Sequence, residues 1–173
     1  MADPRHIVRT HDIDWTQVPS RRHPFNPASE MQRVGLGDQT GMRRVLTNLI
    51  RLPPGKESFI AHAHAVEEEF IFILEGSGQV TLNGQIHNVG PGDFIGFPTD
   101  GVVHGFRNTG EADLLYLTAG ERARVEVAEM PSIGKTAVFR PGRITMYGDD
   151  AVDELTEAEW GARSRLAQNP EPK

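Results

Sequence analysis

Short apolar segments separated by turn residues dominate the middle of the chain. Between residues 42 and 120, runs rich in Val, Ile, Leu and Phe alternate with Pro, Gly and Asn-Gly. Asn83-Gly84, within QVTLNGQIHNV, predicts a two-residue hairpin loop with a type I′ turn. No useful helical period appears in this region. The pattern therefore predicts an all-β sandwich or barrel.

The flanking segments follow other patterns and divide the chain into three parts. Residues 1–41 contain several Pro and Arg and little periodicity, so we expect an irregular arm packed on the barrel or on a partner subunit. Residues 42–120 are the predicted β core, and 121–173 are an extension with one or two further strands. In the tail, Thr156 and Glu159 have the spacing of a capping box, which predicts a short helix.

Composition and charge argue against several classes of partner. The chain has 173 residues and a formal net charge of -6 without a basic stripe, so nucleic acid binding is not expected. It contains no cysteine, which excludes disulfides and thiolate metal ligands. No apolar run approaches the roughly 18 residues of a membrane span, and no secretory signal is visible. We therefore expect a cytoplasmic protein without membrane contact.

Two histidines precede an acid cluster in the stretch IAHAHAVEEEFIFILEG. Residues two apart on a strand face the same side, so His62 and His64 point together if this stretch is extended. Glu69 leads directly into the apolar strand and can point inward. Glu67 and Glu68 lie in the preceding turn, where we expect solvated charges.

A third histidine, His104, lies further along the chain in VVHGFRN. Three imidazoles and one carboxylate from neighbouring strands can converge on one divalent ion. Four protein ligands leave positions open on an ion that prefers five or six, so that water, oxygen or a chelating substrate can bind there. A structural zinc site would instead be closed and usually rich in sulfur.

These residues occur in two motifs that resemble those of the cupin superfamily, as found in its small single-domain bacterial members. The first motif has the form G…HxH, three or four residues, E, six residues, G, and it matches Gly55, His62, His64, Glu69 and Gly76. The second has the form G, five residues, PxG, two residues, H, three residues, N, and it matches Gly92, Pro98, Gly101, His104 and Asn108. One additional residue separates the proline and the glycine of the second motif.

The resemblance implies a single jelly-roll β-barrel whose mouth holds a divalent transition metal such as iron, manganese, zinc or nickel. The implied ligands are His62, His64, Glu69 and His104. An enzyme of this kind would act on a small oxygen-rich molecule (a sugar, keto-acid or diol) as a dioxygenase or as a sugar isomerase or lyase. The alternative is a non-catalytic, metal-assisted sensor or binding module. Because cupin barrels often pair, a homodimer is also expected.

Chemistry beyond the ion needs a second polar group on the inner face of the barrel. Tyr116, central in LLYLT, is the candidate catalytic residue because a phenol can donate or accept a proton, although it can also simply pack. The other candidates are Arg44, Thr47, Asn48 and Arg51. Strand parity alone leaves open which alternate set points inward.

Overall fold

Antiparallel β-strands make up most of the regular structure. The computed structural model describes residues 6–151, 156, 158 and 159. The strands are β1 (Ser20–Arg21), β2 (Met31–Gly35), β3 (Val45–Leu52), β4 (Ala63–His64), β5 (Glu69–Glu75), β6 (Gly78–Leu82), β7 (Gln85–Val89), β8 (Phe94–Phe97), β9 (His104–Asn108), β10 (Leu114–Glu121), β11 (Glu126–Met130), β12 (Lys135–Arg140) and β13 (Arg143–Gly148). The short helix α1 spans Leu36–Gln39, and single 3₁₀ turns cover Thr10–Asp12, Trp15–Gln17, Pro131–Ile133 and Asp149–Ala151.

The strands form three antiparallel sheets with jelly-roll connections. The largest sheet has the order β1-β2-β3-β10-β5-β8, and the smaller ones have the orders β13-β12-β11-β4 and β7-β6-β9. Neighbours such as β3 and β10 are distant in sequence, as the crossovers of a jelly roll require. The prediction of an all-β jelly roll is confirmed. Among the residues that the structure describes, no helix has the length and hydropathy that crossing a membrane needs.

The main hydrophobic core lies between the large sheet and the three-stranded sheet. Alternate residues of β10, among them Leu114, Tyr116 and Thr118, are buried on the inner face. Ile73 of β5 and Leu52 of β3 are both 0% exposed and join the same apolar cluster. Period-2 alternation over residues 114–118 of β10 therefore separates the core side from the outer side.

The N-terminal segment contributes strands to the sheet, which the sequence pattern did not predict. β2 pairs with β3, and β1 pairs with β2. Met31 is buried in the core, whereas Gln32 points to the other side and its Nε2 donates to the carbonyls of Trp15 (2.7 Å) and Val18 (2.6 Å). A five-residue strand containing Arg and Gly carries too little alternation to stand out from a loop.

Two local predictions are confirmed. Asn83 and Gly84 have φ values of 46° and 83°, the positive pair that a type I′ turn requires. In the tail, the Glu159 carboxylate accepts from the Thr156 N–H at 2.8 Å, and the Thr156 hydroxyl accepts from the Glu159 N–H at 3.2 Å. This is the predicted capping box, and most of the helix expected after it lies outside the described residues.

The extension contributes β11, β12 and β13. The homodimer and the cytoplasmic location stay predictions.

The turn between β5 and β6 needs glycine for two reasons, which a pair of substitutions can separate. Gly76 and Gly84 share a left-handed φ, 84° and 83°. A Cβ at Gly76 would lie 2.6 Å from the Asp113 carbonyl oxygen, whereas at Gly84 nothing lies within 4 Å. Gly84→Ala should therefore lower the free energy of unfolding by about 1 kcal/mol. Gly76→Ala should lower it by about 3 kcal/mol, because the backbone clash is added. Urea unfolding measures both, and equal losses would contradict the role assigned to the clash.

Candidate metal centre

Four side chains from three segments of the chain converge in the wall of one cavity. One potential ligand atom from each lies within 4.8 Å of the others, and the residues are His62, His64, Glu69 and His104. The centroid of the His62 ring lies 4.8 Å from that of the His64 ring and 4.6 Å from that of the His104 ring. The structure thus brings together the complete set that the sequence singled out.

Backbone pairing places the histidines. His104 begins β9, and its backbone exchanges two hydrogen bonds with that of His62, at 2.8 and 3.0 Å. His64 lies in β4 opposite Ala128 of β11. The extended stretch expected around the two histidines is shorter than its sequence indicates: only Ala63–His64 form a strand, and His62 makes an isolated bridge. The His62 and His64 rings nevertheless share a side.

Hydrogen bonds on the far side of two rings set their tautomers. The Nδ1 of His62 donates to the Ile60 carbonyl at 2.8 Å, and the Nδ1 of His104 donates to the Val102 carbonyl at 3.2 Å. A carbonyl can only accept, so in the neutral rings Nε2 keeps its lone pair. The Nε2 of His104 is buried and has no hydrogen-bond partner within the described part of the chain. A buried, unsatisfied acceptor facing two imidazoles and a carboxylate fits a divalent ion.

Burial keeps two of the imidazoles neutral. It lowers the pKa of His62, and together with the neighbouring His62 it lowers the pKa of His104 to about 4. Phe97 stacks on the His104 ring at 3.8 Å between centroids, which adds to the apolar surroundings. Both rings are therefore in the ligating form at neutral pH without giving up a proton.

The carboxylate of Glu69 is held between a hydroxyl and an imidazole. Thr118 donates to Oε1 at 2.5 Å, which leaves Oε2 3.3 Å from the Nε2 of His64 and 4.0 Å from that of His104. Burial raises the pKa of Glu69, but the hydrogen bonds from His64 and Thr118 outweigh it and hold the pKa below its ordinary value. Glu69 thus supplies the single negative charge of the cluster.

A second carboxylate, Glu126 of β11, supports the cluster from behind. It is 6% exposed, and its Oε1 lies 3.3 Å from the Nδ1 of His64. The same oxygen accepts from the Ala65 N–H, and Oε2 accepts from the Glu67 N–H at 2.7 Å. Burial lowers the pKa of His64, but Glu69 and Glu126 outweigh it and raise the pKa. Glu126 therefore orients the His64 ring and also fixes the turn before β5.

Sequence reasoning missed Glu126 as a site residue. The one signal was its position in VEVAEM, where it shares the buried face of β11 with Ala128 and Met130. The expectation for Glu67 was also wrong: it is half-buried rather than solvated, because its carboxylate accepts from the Ala123 N–H at 2.6 Å. Burial raises the pKa of Glu67. Glu68 is exposed, as expected.

The four side chains open onto a cavity of about 830 Å³. Tyr116 lies in its wall, 2% exposed and edge-on to Phe106. Burial and the charge of Glu69 raise the pKa of Tyr116, so its phenol is protonated at neutral pH. The structure also shows which residues of β3 point inward. Asn48 lines the cavity, whereas Arg51 faces the other side of the sheet and pairs with Asp113.

Comparison with known proteins agrees with this geometry. Residues 48–120 match the family model described as Cupin domain. The barrel is a cupin domain. The resemblance expected from the two motifs is thus confirmed, and Glu126 lies outside the matched residues. No curated protein matches the sequence significantly.

Solved cupin structures extend the likeness to most of the chain. A putative sugar phosphate isomerase from Acidithiobacillus ferrooxidans is 29% identical with a TM-score of 0.83, covering 88% of this chain and 98% of that one. A sugar phosphate isomerase of the cupin superfamily from Silicibacter pomeroyi is 26% identical with a TM-score of 0.72, covering 85% and 98%. A predicted oxalate decarboxylase from Thermotoga maritima, 24% identical with a TM-score of 0.51, covers 62% and 96% and shows the fold alone.

If the four-residue cluster holds a divalent ion, replacing Glu126 should weaken the binding of that ion without removing a candidate ligand. Glu126→Gln keeps the size of the side chain but loses one acceptor, so the His64 ring is held less firmly. We expect the affinity for a divalent ion to fall about 10- to 100-fold, as when other residues that orient a metal ligand are changed. Competition with a chromophoric chelator measures this. Glu129→Gln, an exposed change on the same strand, is the matched control and should bind like the parent. Equal affinities for the two variants would contradict the supporting role.

Proposed function

We propose that this cupin is a metal-dependent isomerase that interconverts the aldehyde and ketone forms of a small phosphorylated sugar. The observation that carries the proposal is the convergence of three imidazoles and one carboxylate on a cavity of about 830 Å³, which is large enough for such a molecule. The putative sugar phosphate isomerase and the sugar phosphate isomerase described above support the choice of reaction. Their likeness to this chain extends beyond the matched domain and includes the extension that supplies Glu126.

The proposed ligands of the ion are His62, His64, Glu69 and His104. A divalent ion held there would supply Lewis acidity towards two adjacent oxygens of the substrate, which suits a hydroxy-aldehyde or hydroxy-ketone. The neutral rings and the ionised Glu69 would leave a net charge of about +1 on the loaded centre.

Isomerisation moves one proton between neighbouring carbons and another between their oxygens. We assign the carbon-to-carbon transfer to Glu67, because it is the half-buried carboxylate of the cavity wall that neither faces the three imidazoles nor supports His64. It would take the proton from the hydroxyl-bearing carbon and return it to the former carbonyl carbon. Tyr116, protonated and in the same wall, would donate to the carbonyl oxygen and recover a proton from the neighbouring hydroxyl. The exchange is balanced and needs no external oxidant.

Turnover in heavy water tests the reaction class directly. The full chain, loaded separately with Mn²⁺, Fe²⁺, Zn²⁺ or Ni²⁺, is incubated with a panel of aldose and ketose phosphates and followed by NMR. We expect ketose to form from one of the aldoses, with solvent deuterium at the carbon that receives the proton. His104→Leu should abolish the reaction while the protein stays folded. Binding without turnover would instead favour the non-catalytic sensor, and oxygen uptake with a diol would favour a dioxygenase.

The two assigned groups should respond differently to substitution. Glu67→Gln removes the base and should lower kcat by about 10²- to 10⁴-fold. Tyr116→Phe removes one hydrogen-bond donor and should lower kcat by about 10-fold with KM nearly unchanged. Glu68→Gln, an exposed change one residue away, is the control and should keep the kcat of the parent. If Glu67→Gln and Glu68→Gln turn over alike, the base lies elsewhere.

A further inference from the structure

Two polar residues on the inner face of the large sheet have no part in the metal centre. Asn48 of β3 and Arg33 of β2 both line the cavity that holds the four candidate ligands. We infer that they form a second subsite, in which Arg33 binds the phosphate of the substrate and Asn48 binds one of its hydroxyls. The identity of the ligand as a phosphorylated sugar rests on the proposed function.

Asn48 carries a buried amide oxygen without a hydrogen-bond partner in the part of the chain that the structure describes. It is 4% exposed, and its Oδ1 finds no donor among the described residues. Its partner in the sheet register is Thr118, the residue whose hydroxyl holds Glu69. Buried amides are normally satisfied, and this one can turn about χ2 to present its oxygen or its NH₂ to a guest. A sugar hydroxyl in the cavity would supply the missing partner.

Arg33 is a half-buried cation in the same wall. It shares a face of β2 with Met31, whose side chain lies in the core. Burial and the nearby charge of Arg21 lower its pKa, and Arg122 adds to this effect against the opposing Asp38. The guanidinium of Arg33 nevertheless remains charged at neutral pH. Arg122 itself pairs with Asp38 at 2.5 Å, whereas Arg33 has no ion pair within residues 6–151. Like charges gathered at a cavity attract an anion.

The order of the strands in the large sheet sets the order of these groups from the candidate metal centre outwards. Glu69 lies on β5, Thr118 on β10, Asn48 on β3 and Arg33 on β2, and these four strands are consecutive neighbours. Strand spacings of about 4.8 Å place β2 roughly 14 Å from β5, and the long arginine side chain covers part of that distance. A substrate with its carbonyl at the four ligands would therefore pass Asn48 and reach Arg33 with its other end. A planar guanidinium binds phosphate through two parallel hydrogen bonds.

Phosphate binding tests the role of Arg33 independently of turnover. The metal-loaded full chain is titrated with inorganic phosphate by calorimetry, next to Arg33→Met and Arg107→Met. Arg107 is an exposed arginine of β9 outside the cavity wall and is the matched control. We expect Arg33→Met to bind phosphate about 10- to 100-fold more weakly and Arg107→Met to bind it like the parent, with the same metal content in all three. Equal binding by Arg33→Met and the parent would overturn the subsite.

Asn48→Leu separates a ligand contact from a structural role. The change preserves the approximate shape and removes no internal hydrogen bond of the side chain, so the stability to urea should not fall. Affinity for sugar phosphates should drop about 10-fold while affinity for inorganic phosphate stays unchanged. A variant that unfolds more easily and binds sugar phosphates normally would show that Asn48 only supports the fold.

The subsite and the proposed function can fail separately. If phosphate binding depends on Arg33 but no sugar phosphate is isomerised, the subsite stands and the isomerase is wrong. If neutral sugars are isomerised as efficiently as phosphorylated ones and inorganic phosphate does not compete, the isomerase stands and the subsite is wrong.

Discussion

The pair of backbone hydrogen bonds between His62 and His104 joins the two halves of the candidate metal centre. It ties the loop of the first motif to the start of β9 and holds two neutral imidazoles side by side. Imidazoles buried this closely leave a lone pair on His104 without a donor. A buried acceptor without a donor lowers stability, and a cation bound to the ring nitrogens would remove that cost.

The extension completes this centre. Glu126 of β11 contacts the Nδ1 of His64 and accepts a hydrogen bond from the turn before β5. The four-stranded sheet is thereby connected to the candidate ligands. β2, from the opposite end of the chain, brings Arg33 to the far side of the same cavity. Segments outside the matched domain therefore shape the cavity, and differences there can change what the cavity admits while the four candidate ligands stay the same.

The candidate ligand set could be predicted from the sequence because local rules bring most of its members together. His62 and His64 share a side by strand parity, and Glu69 enters an apolar strand, while the resemblance to cupins pointed to His104. Glu126 and Arg33 could not be found in this way, because they approach the site only through the pairing of β11 with β4 and of β2 with β3. Asn48 stayed undecided, since alternation in β3 defines two faces without saying which one is inside.

The most direct test of this account is anomalous diffraction from crystals of the metal-loaded protein, recorded at the absorption edge of the ion. The account predicts one peak within bonding distance of the Nε2 atoms of His62, His64 and His104 and of the Glu69 carboxylate, with room beside it facing the cavity. A protein that takes up no ion, or a peak held by other residues with the His104 ring turned away, would contradict it.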